Sequence, residues 1–426
     1  MHTVSNNRSV ARLVAQAVRI AVGVTVTAGL AWGFLNAQGC GGTHGNRTAE
    51  HYSTAKMKME GIKAATEFKM AEQAFLAGDL RKALKHVDYS LSLNRDVARS
   101  HVLRGRILAE MGNIEGANEC LALAKAIDPK NVDAEYYLGT IAERIERREK
   151  ALEHYVAASE LDTSNPQYAI AAAEMMIELG KVDEAQAYLN GHSANFDHNA
   201  GIRQTLGHVA MMQNKPEEAV TLFNEARLLQ PDDQTITEDL IRAQIATKRY
   251  AEAEYNLNRL LLGKDNKDRR DLKHMRATCL VLLDRPVEAR EILINLTLDQ
   301  AGASDVEAWA ELGQVAYMLR DYPRVKQCAN RVTALAPSRP DGYVLKALSQ
   351  RKSGDLAGAK KSIETAVKID RTSDNLVLLG MIQQDLNQNE AARLSFAEAL
   401  RVNPQDANAG MLLSASEGTF AGVQAE

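Results

Sequence analysis

The residues that could do chemistry in this chain are few, and most of them stand alone. The stretch "GHSANFDHN" at 191–199 holds His192, Asp197 and His198 within one predicted connection between helices. Two imidazoles and a carboxylate are ligands that zinc accepts, but three polar residues in one loop are more often simply solvated. The sequence contains no glycine-rich phosphate loop, no HExxH motif and no pair of CxxC motifs. We therefore expect no metal site, no cofactor, no small-molecule substrate and no catalytic residue.

Three of the four cysteines, Cys120, Cys279 and Cys328, fall within segments whose pattern predicts helices. Their spacing matches neither a zinc site nor a disulfide framework. Isolated cysteines of this kind usually pack as small apolar side chains. We predict that all three are buried.

The first forty residues have the composition of a membrane-targeting segment. Arg8, Arg12 and Arg19 precede every acidic residue, and residues 20–37 carry no charge. A basic flank before an apolar run is typical of a secretory signal, and the length is near the lower limit for a membrane span. Positive charges tend to stay in the cytoplasm, which would place the remaining chain outside it. We expect residues 1–40 to be a signal peptide or membrane anchor of an extracytoplasmic, membrane-associated protein of the cell envelope or periplasm.

The segment "NAQGCGG" around Cys40 resembles a bacterial lipobox, in which the cysteine is lipidated and becomes the new N-terminus. Two alternatives stay open: residues 20–37 remain as an uncleaved anchor, or the segment is cleaved without lipidation. Residues 41–63 are Gly- and Thr-rich at their start and are expected to be a linker.

Composition and charge narrow the class of protein. The chain has 426 residues, which is too long for one compact core of ordinary size. It is 45% hydrophobic and 25% charged with only nine prolines, a composition typical of a soluble, helix-rich protein. The net charge is −4, and no concentrated basic face is evident. A nucleic-acid partner is therefore not expected.

An internal repeat of 34 residues organises most of the chain. Steps of 34 from Ala219 reach one alanine after another, and the series continues past two small insertions: Ala83, Ala117, Ala151, Ala185, Ala219, Ala253, Ala289, Val325, Ala359 and Ala392. Glycine or alanine stands twelve residues earlier in nine of these ten units, and a mostly large residue stands four residues later. These spacings place small and large side chains on the facing sides of two antiparallel helices.

The ends of the helices are also marked. Residues that tolerate a left-handed conformation stand between the two helices of several units: Gly78, Gly112, Gly180, Gly354, Asn214 and Asn387. Proline follows the second helix at Pro129, Pro231, Pro337 and Pro404. The insertions, at 263–271 and 298–305, flank the seventh unit. They are expected to be longer surface loops or a bend between two stacks.

The pattern resembles the tetratricopeptide repeat, most closely in "LGHVAMMQNKPEEAVTLFNEARLLQP" (206–231) and "LRGRILAEMGNIEGANECLALAKAIDP" (103–129). The resemblance implies an all-α, right-handed superhelical solenoid of about ten helix pairs. We expect repeats 1–6 at 64–267, repeats 7–10 at 268–406, and a C-terminal cap and tail at 407–426.

The resemblance also implies a concave groove lined by the second, fifth and ninth positions of each first helix. In the central repeats these positions are Arg106, Tyr136, Thr140, Ile170, Glu174, Gln204, His208 and Arg242. The lysine and asparagine set with which the family clamps a C-terminal carboxylate is not present. Tyr136 and Ile170 are instead predicted to anchor a protein or peptide partner.

The function that follows is a non-enzymatic scaffold, tethered to a membrane by its N-terminal segment and active in envelope assembly or secretion. The alternatives are a subunit that presents substrates to a separately encoded glycosyltransferase or protease, and an independent enzyme. No set of residues in the sequence supports the last of these.

Overall fold

A computed structural model describes residues 46–193, 198–298 and 300–423. Within these residues the chain forms twenty-one α-helices and one short 3-10 helix, and no strand. The helices are α1 Asn46–Leu76, α2 Leu80–Leu93, α3 Ala98–Glu110, α4 Ile114–Ile127, α5 Val132–Arg144, α6 Arg148–Leu161, α7 Pro166–Glu178, α8 Val182–Ser193, α9 Ala200–Met212, α10 Pro216–Leu229, α11 Gln234–Ala246, α12 Tyr250–Leu261, α13 Arg270–Leu282, α14 Pro286–Leu298, α15 Val306–Met318, α16 Tyr322–Leu335, α17 Asp341–Ser353, α18 Leu356–Ile369, α19 Ser373–Asp385, α20 Asn389–Val402 and α21 Ala407–Val423. The 3-10 helix is Gly302–Ser304.

The helices α1 to α20 form ten antiparallel pairs, each packed against the next along the chain, and α21 packs against the last pair. This is the all-α, right-handed superhelical solenoid that the repeat predicts. The second helices end two residues before Pro129, Pro231, Pro337 and Pro404. Proline lacks the N–H that would continue the helix, so the predicted stop signals are confirmed.

The alanine series lies at the centre of each pair. All nine alanines and Val325 are fully buried. The small residue on the first helix, however, faces the large residue of the second helix rather than the alanine alone. A Cβ atom added to Gly207 would lie 2.5 Å from Phe223 Cε1, and one added to Gly139 would lie 2.6 Å from Tyr155 Cε1. The glycine therefore makes room for the ring, which fills the space between the two backbones.

The eighth repeat solves the same packing problem differently. Val325 takes the place of the alanine, and Ala329 takes the place of the large residue four positions later. The space beside Gly313 is filled by the next repeat, because an added Cβ there would lie 2.5 Å from Leu345 Cδ1. In the eighth repeat, Leu345 of the ninth repeat therefore fills the space that a large side chain of the same repeat fills elsewhere.

The connection between the two helices of every repeat contains one residue in the left-handed conformation. The six predicted glycines and asparagines all have φ between 58° and 83°. Four further repeats place ordinary side chains there, which the sequence did not predict: Glu146, Lys248, Asp284 and Arg320, with φ between 57° and 60°. The geometry of the repeat therefore overrides the local preference of these four residues.

We expect Lys248→Gly to raise the free energy of unfolding of its repeat by about 0.5–1 kcal/mol. A residue with a Cβ costs about 1–2 kcal/mol in the left-handed region, and glycine removes this cost. Glycine also makes the unfolded chain more flexible, which lowers the stability by about 0.4–1 kcal/mol and offsets part of the gain. Urea unfolding measures the change. Gly112→Ala is the reciprocal variant and should be destabilising. A Lys248→Gly protein that is less stable than the wild type would contradict the expectation.

The ends of the solenoid differ from one another. Helix α1 begins at Asn46, before the first repeat, so the expected linker at 41–63 is helical from residue 46 onwards. Ala409 of α21 is buried against Leu376 and Ala399, covering the apolar face of the last pair. Within residues 46–193, 198–298 and 300–423, no helix is both long and apolar enough to span a bilayer. The predicted anchor at 1–40, with Cys40, lies outside the described residues.

Both insertions are packed rather than free. Asn266 in the first is 3% exposed, and its amide donates to Gln234 Oε1 at 2.9 Å. In the second, the carbonyl of Gly302 accepts a hydrogen bond from Trp309 Nε1 at 3.0 Å. Buried side chains connect the sixth, seventh and eighth repeats across both insertions, so the core continues through them.

Candidate partner-binding groove

The predicted groove residues of the central repeats all lie on first helices, but most of them are engaged by neighbouring side chains. The guanidinium of Arg106 is held between two rings, 4.9 Å from the centroid of Phe75 and 4.6 Å from that of Tyr137. Each such contact is worth about 0.5–1 kcal/mol when exposed. Arg106 therefore connects the first three repeats, and its guanidinium is already engaged within the chain.

Tyr136 lies in a cluster of four tyrosines. Its ring centroid is 5.3 Å from that of Tyr137, 5.6 Å from Tyr155 and 5.2 Å from Tyr168. Burial, with the nearby carboxylates of the groove, raises the pKa of Tyr136. The ring is half-buried and keeps some accessible surface. The cluster is thus mainly a packing element in which Tyr136 keeps part of its surface accessible.

Other predicted residues near Tyr136 offer little surface. Ile170 is only 8% exposed, because its side chain packs against the next repeat at Gly201. The hydroxyl of Thr140 donates to the carbonyl of Tyr137 at 2.9 Å. The proposed apolar anchor pair is therefore reduced to Tyr136.

Glu174 is an exposed carboxylate of this region. Although solvent reaches it, the surrounding walls of the concave face desolvate the group and raise its pKa, and Glu143 adds to the shift. Glu143 in turn accepts a hydrogen bond from Tyr155 Oη at 2.5 Å. The patch is therefore acidic and aromatic.

Gln204, His208 and Arg242 converge on one carboxylate, that of Asp239. Gln204 Nε2 lies 2.7 Å and His208 Nε2 2.8 Å from Asp239 Oδ2, and Arg242 Nη1 lies 2.9 Å from Oδ1. Burial alone would raise the pKa of Asp239, but these donors outweigh it and lower the pKa. Three of the eight predicted groove residues therefore serve an internal network between the fifth and sixth repeats.

Two cavities that the prediction did not single out lie in the last four repeats. A cavity of about 290 Å³ lies between α13, α15 and α17, and one of about 460 Å³ lies between α15, α17 and α19. They share Gln314, Met318 and Asp341, so they form one continuous depression. We call this depression the acidic groove, defined by Leu282, Glu307, Glu311, Gln314, Met318, Asp341, Val344, Leu348, Asp370 and Asp374.

The eight predicted groove residues of the central repeats, from Arg106 to Arg242, are called the central patch, and the register that located them also locates the acidic groove. Glu307, Gln314, Asp341, Val344, Leu348 and Asp374 occupy the second, fifth or ninth positions of the eighth, ninth and tenth first helices. Extending the register to the end of the array would have named them. The cavity itself has no sequence signal, because it depends on which neighbouring side chains leave the space unfilled.

A half-buried ionic network lies beside the acidic groove, where the seventh repeat meets the eighth. Asp305 caps α15 by accepting the N–H of Ala308 at 3.0 Å, and it also accepts Arg270 Nη2 at 2.5 Å and His274 Nε2 at 3.2 Å. His274 Nδ1 lies 2.7 Å from Glu311 Oε2. The hydrogen bond to Glu311, assisted by Asp305, raises the pKa of His274 against the effect of burial.

The stability of this junction should fall as the pH rises through neutrality. Because the pKa of His274 is raised in the folded protein, its charge stabilises the fold fully below the ordinary histidine pKa of about 6.5. The contribution disappears as the pH passes the higher folded value. Urea unfolding should show a stability gap between wild type and His274→Asn that narrows from acid to alkaline pH. A gap that stays constant over this range would contradict the prediction.

The three cysteines of the described residues are buried, as the sequence predicts. Cys120, Cys279 and Cys328 are buried and free, as predicted. Burial raises the pKa of Cys279 to about 11 and that of Cys328 to about 12, so neither is a thiolate near neutral pH. Among the described residues, no group of His, Cys, Asp and Glu side chains has an arrangement that could hold a metal ion. His192 Nδ1 lies 2.9 Å from the Tyr188 carbonyl, and Asp197 lies outside the described residues.

Family models identify the class of repeat. Models described as tetratricopeptide repeat match residues 98–131, 205–269, 340–373 and 373–406. These matches fall on the second, fifth to sixth, ninth and tenth helix pairs. These segments therefore match the tetratricopeptide repeat, the repeat that the sequence pattern resembles.

Several solved structures are similar to this chain. The TPR protein YrrB, described as having an unusual peptide-binding site, is 20% identical over 47% of this chain and 97% of its own, with a TM-score of 0.36. A tetratricopeptide repeat protein from Parabacteroides merdae is 15% identical over 75% and 98%, with a TM-score of 0.40. The APC/C hetero-tetramer Cut9-Hcn1 gives 14% over 86% and 87%, with a TM-score of 0.42. No curated protein sequence matches this chain significantly.

Proposed function

We propose that the protein is a non-enzymatic scaffold that binds a segment of a partner protein along its concave face, chiefly in the acidic groove. The observation that carries this is the continuous depression formed by the two cavities, about 290 and 460 Å³, that share Gln314, Met318 and Asp341. Partner segments bind well where apolar side chains and polar rims meet in a concave surface. Tetratricopeptide repeats are a module that binds peptides or proteins, which supports the same function.

The central patch is a second candidate surface. Tyr136 retains an accessible edge, and Glu174 and His208 are exposed. Gln204, His208 and Arg242 are already paired with Asp239. A partner would have to break these contacts, which disfavours the patch relative to the acidic groove.

The scaffold is further proposed to act at a membrane, outside the cytoplasm, in envelope assembly or secretion. The support is the sequence alone: the basic flank, the uncharged stretch at 20–37 and Cys40. Labelling with a fatty-acid analogue should mark the wild type and not Cys40→Ser if Cys40 is lipidated. Equal labelling of both proteins overturns lipidation, and an intact N-terminus then favours the uncleaved anchor.

Photo-crosslinking tests the binding surface directly. A photoreactive amino acid is placed at Gln314 in the acidic groove, at Gln204 in the central patch, or at Lys361 on α18. Lys361 is exposed and lines neither cavity. In cells, we expect discrete protein adducts from Gln314 that are absent from Lys361. Adducts equal at the two positions would overturn the groove, and adducts from Gln204 alone would move the site to the central patch.

The main alternative is a subunit that presents substrates to a separately encoded enzyme. The same experiment separates the two functions, because mass spectrometry of the adducts identifies what contacts Gln314. One stoichiometric glycosyltransferase or protease would favour the alternative. A non-enzymatic envelope component would favour the scaffold.

A further inference from the structure

We propose, resting on the scaffold function above, that the acidic groove selects a partner segment that is both basic and apolar. The apolar requirement comes from the floor of the groove. Leu282 is 51% exposed and Met318 is 50% exposed, and Val344 and Leu348 are partly accessible beside them. A partner that covers these apolar side chains gains binding free energy of roughly 25 cal/mol for each Å² of apolar surface removed from water.

The basic requirement comes from the charges around this floor. Five carboxylates line the two cavities, those of Glu307, Glu311, Asp341, Asp370 and Asp374. Among the described residues that line either cavity there is no lysine, arginine or histidine. The groove walls therefore present one sign of charge to anything that enters, which attracts cations and repels acidic segments.

The neighbouring cations do not neutralise this charge. Arg339 is shared between Glu307, at 2.8 Å, and Asp341, at 2.9 Å. Glu311 is paired with His274 at 2.7 Å. The carboxylates of Asp370 and Asp374 are exposed and form no ion pair with any described residue. Even with Arg339 and His274 both protonated, three negative charges remain in excess.

The dimensions of the groove fit a short stretch of chain. It crosses the first helices of four successive repeats, α13, α15, α17 and α19. Helices in direct contact lie about 8–10 Å apart, and three steps of at least this size make the groove at least roughly 25 Å long. An extended segment of about eight or nine residues spans that distance. Side chains on one side of such a segment would lie on the apolar floor, and its cations would lie at the carboxylates.

Binding of designed peptides to the full chain tests the selection. Fluorescence anisotropy compares three labelled peptides of about nine residues, in which leucine alternates with lysine, leucine alternates with glutamate, or serine alternates with lysine. We expect the leucine–lysine peptide to bind at least about tenfold more tightly than either of the others, since it meets both the charge and the apolar floor. Its affinity should fall as salt is added, because the carboxylates are accessible to counter-ions.

Charge neutralisation within the groove gives the matched comparison. Asp370→Asn with Asp374→Asn removes two unpaired carboxylates while keeping side-chain size, and should weaken the leucine–lysine peptide about fivefold. Glu119→Gln with Glu149→Gln makes the same change in net charge at exposed positions of α4 and α6, and should leave affinity unchanged. Equal loss in both double variants would indicate general electrostatic attraction and overturn the proposal.

The failures of the two proposals are distinguishable. If the leucine–glutamate peptide binds as tightly as the leucine–lysine peptide, the basic partner is wrong. The scaffold function still stands in that case if Gln314 crosslinks a protein and Lys361 does not. If Gln314 yields no adduct above Lys361, the scaffold function of the groove fails, whatever the peptides do.

Discussion

Phe223→Ala should lower the stability of the fifth and sixth repeats by about 3–5 kcal/mol, the cost of emptying a well-packed aromatic site. Phe223 is 1% exposed, and its ring fills the space that Gly207 leaves on the facing helix. It packs in one cluster with Ala219, Val220 and Leu240, which joins the fifth repeat to the sixth. Glycine has no side chain with which to close the resulting cavity, so relaxation should recover little of the loss.

The loss should be local, because a solenoid is held together mainly by contacts between neighbouring repeats. Hydrogen exchange followed by mass spectrometry should show faster exchange in α9 to α12 and little change in α1 to α4. Leu228→Ala, on the same helix at a side chain 78% exposed, is the control and should change stability by no more than about 0.5 kcal/mol. Exchange that rises evenly along the whole chain would contradict a solenoid with nearest-neighbour packing.

A second large effect is expected at Asp305, where Asp305→Ala should cost about 2–4 kcal/mol. Loss of the cap on α15 contributes about 1 kcal/mol, and loss of hydrogen bonds to charged donors contributes about 1.5–3 kcal/mol. Arg270 and His274 would be left half-buried beside the site without their shared acceptor. Burial alone would raise the pKa of Asp305, but the N–H of Ala308 and the side chains of Arg270 and His274 lower it. The ionised carboxylate is therefore the form that the fold stabilises.

Asp305→Asn separates the two contributions. Asparagine caps a helix about as well as aspartate does, so this variant should keep the cap and lose only the charge of the network. It should fall between wild type and Asp305→Ala in urea unfolding, with hydrogen exchange in α13 to α15 reporting the location. If the asparagine and alanine variants are equally destabilised, the cap contributes nothing measurable and the charges carry the whole effect.

Sequence reasoning succeeded where one repeat unit contains both halves of an interaction. The alanine series, the large residue four positions later and the proline stops all lie within a single helix pair, so their spacing determines how the pair packs. The left-handed turns show where this reasoning ends. Gly112 and Asn214 are residue types that predict such a turn, whereas Lys248 and Arg320 are not. At Lys248 and Arg320 the packing of the two flanking helices imposes the left-handed conformation.

The predicted groove residues also show the difference between a position that the repeat fixes and contacts that depend on neighbouring repeats. The register correctly placed Arg106, Gln204 and His208 on first helices, but it could not reveal whether their polar groups were free. Arg106 is held by Phe75, about thirty residues earlier, and Gln204 and His208 are held by Asp239, about thirty later. Each contact joins residues about one repeat length apart, and no motif records it.

Patterns in the sequence were sufficient to predict the repeat unit, the helix pairs, the burial of the three described cysteines and which residues lie on first helices. These follow from short-range periodicity, because side chains three, four and thirty-four residues apart must meet in any stack of such pairs. Which of the predicted groove residues stay accessible depends on the tertiary structure. In the central repeats, Ile170 is buried, and Arg106 and Gln204 are engaged by neighbouring side chains. Met318, Asp370 and Asp374 are exposed. Availability depends on the volumes and charges that adjacent repeats bring together, and these differ from one repeat to the next even where the repeat pattern is the same.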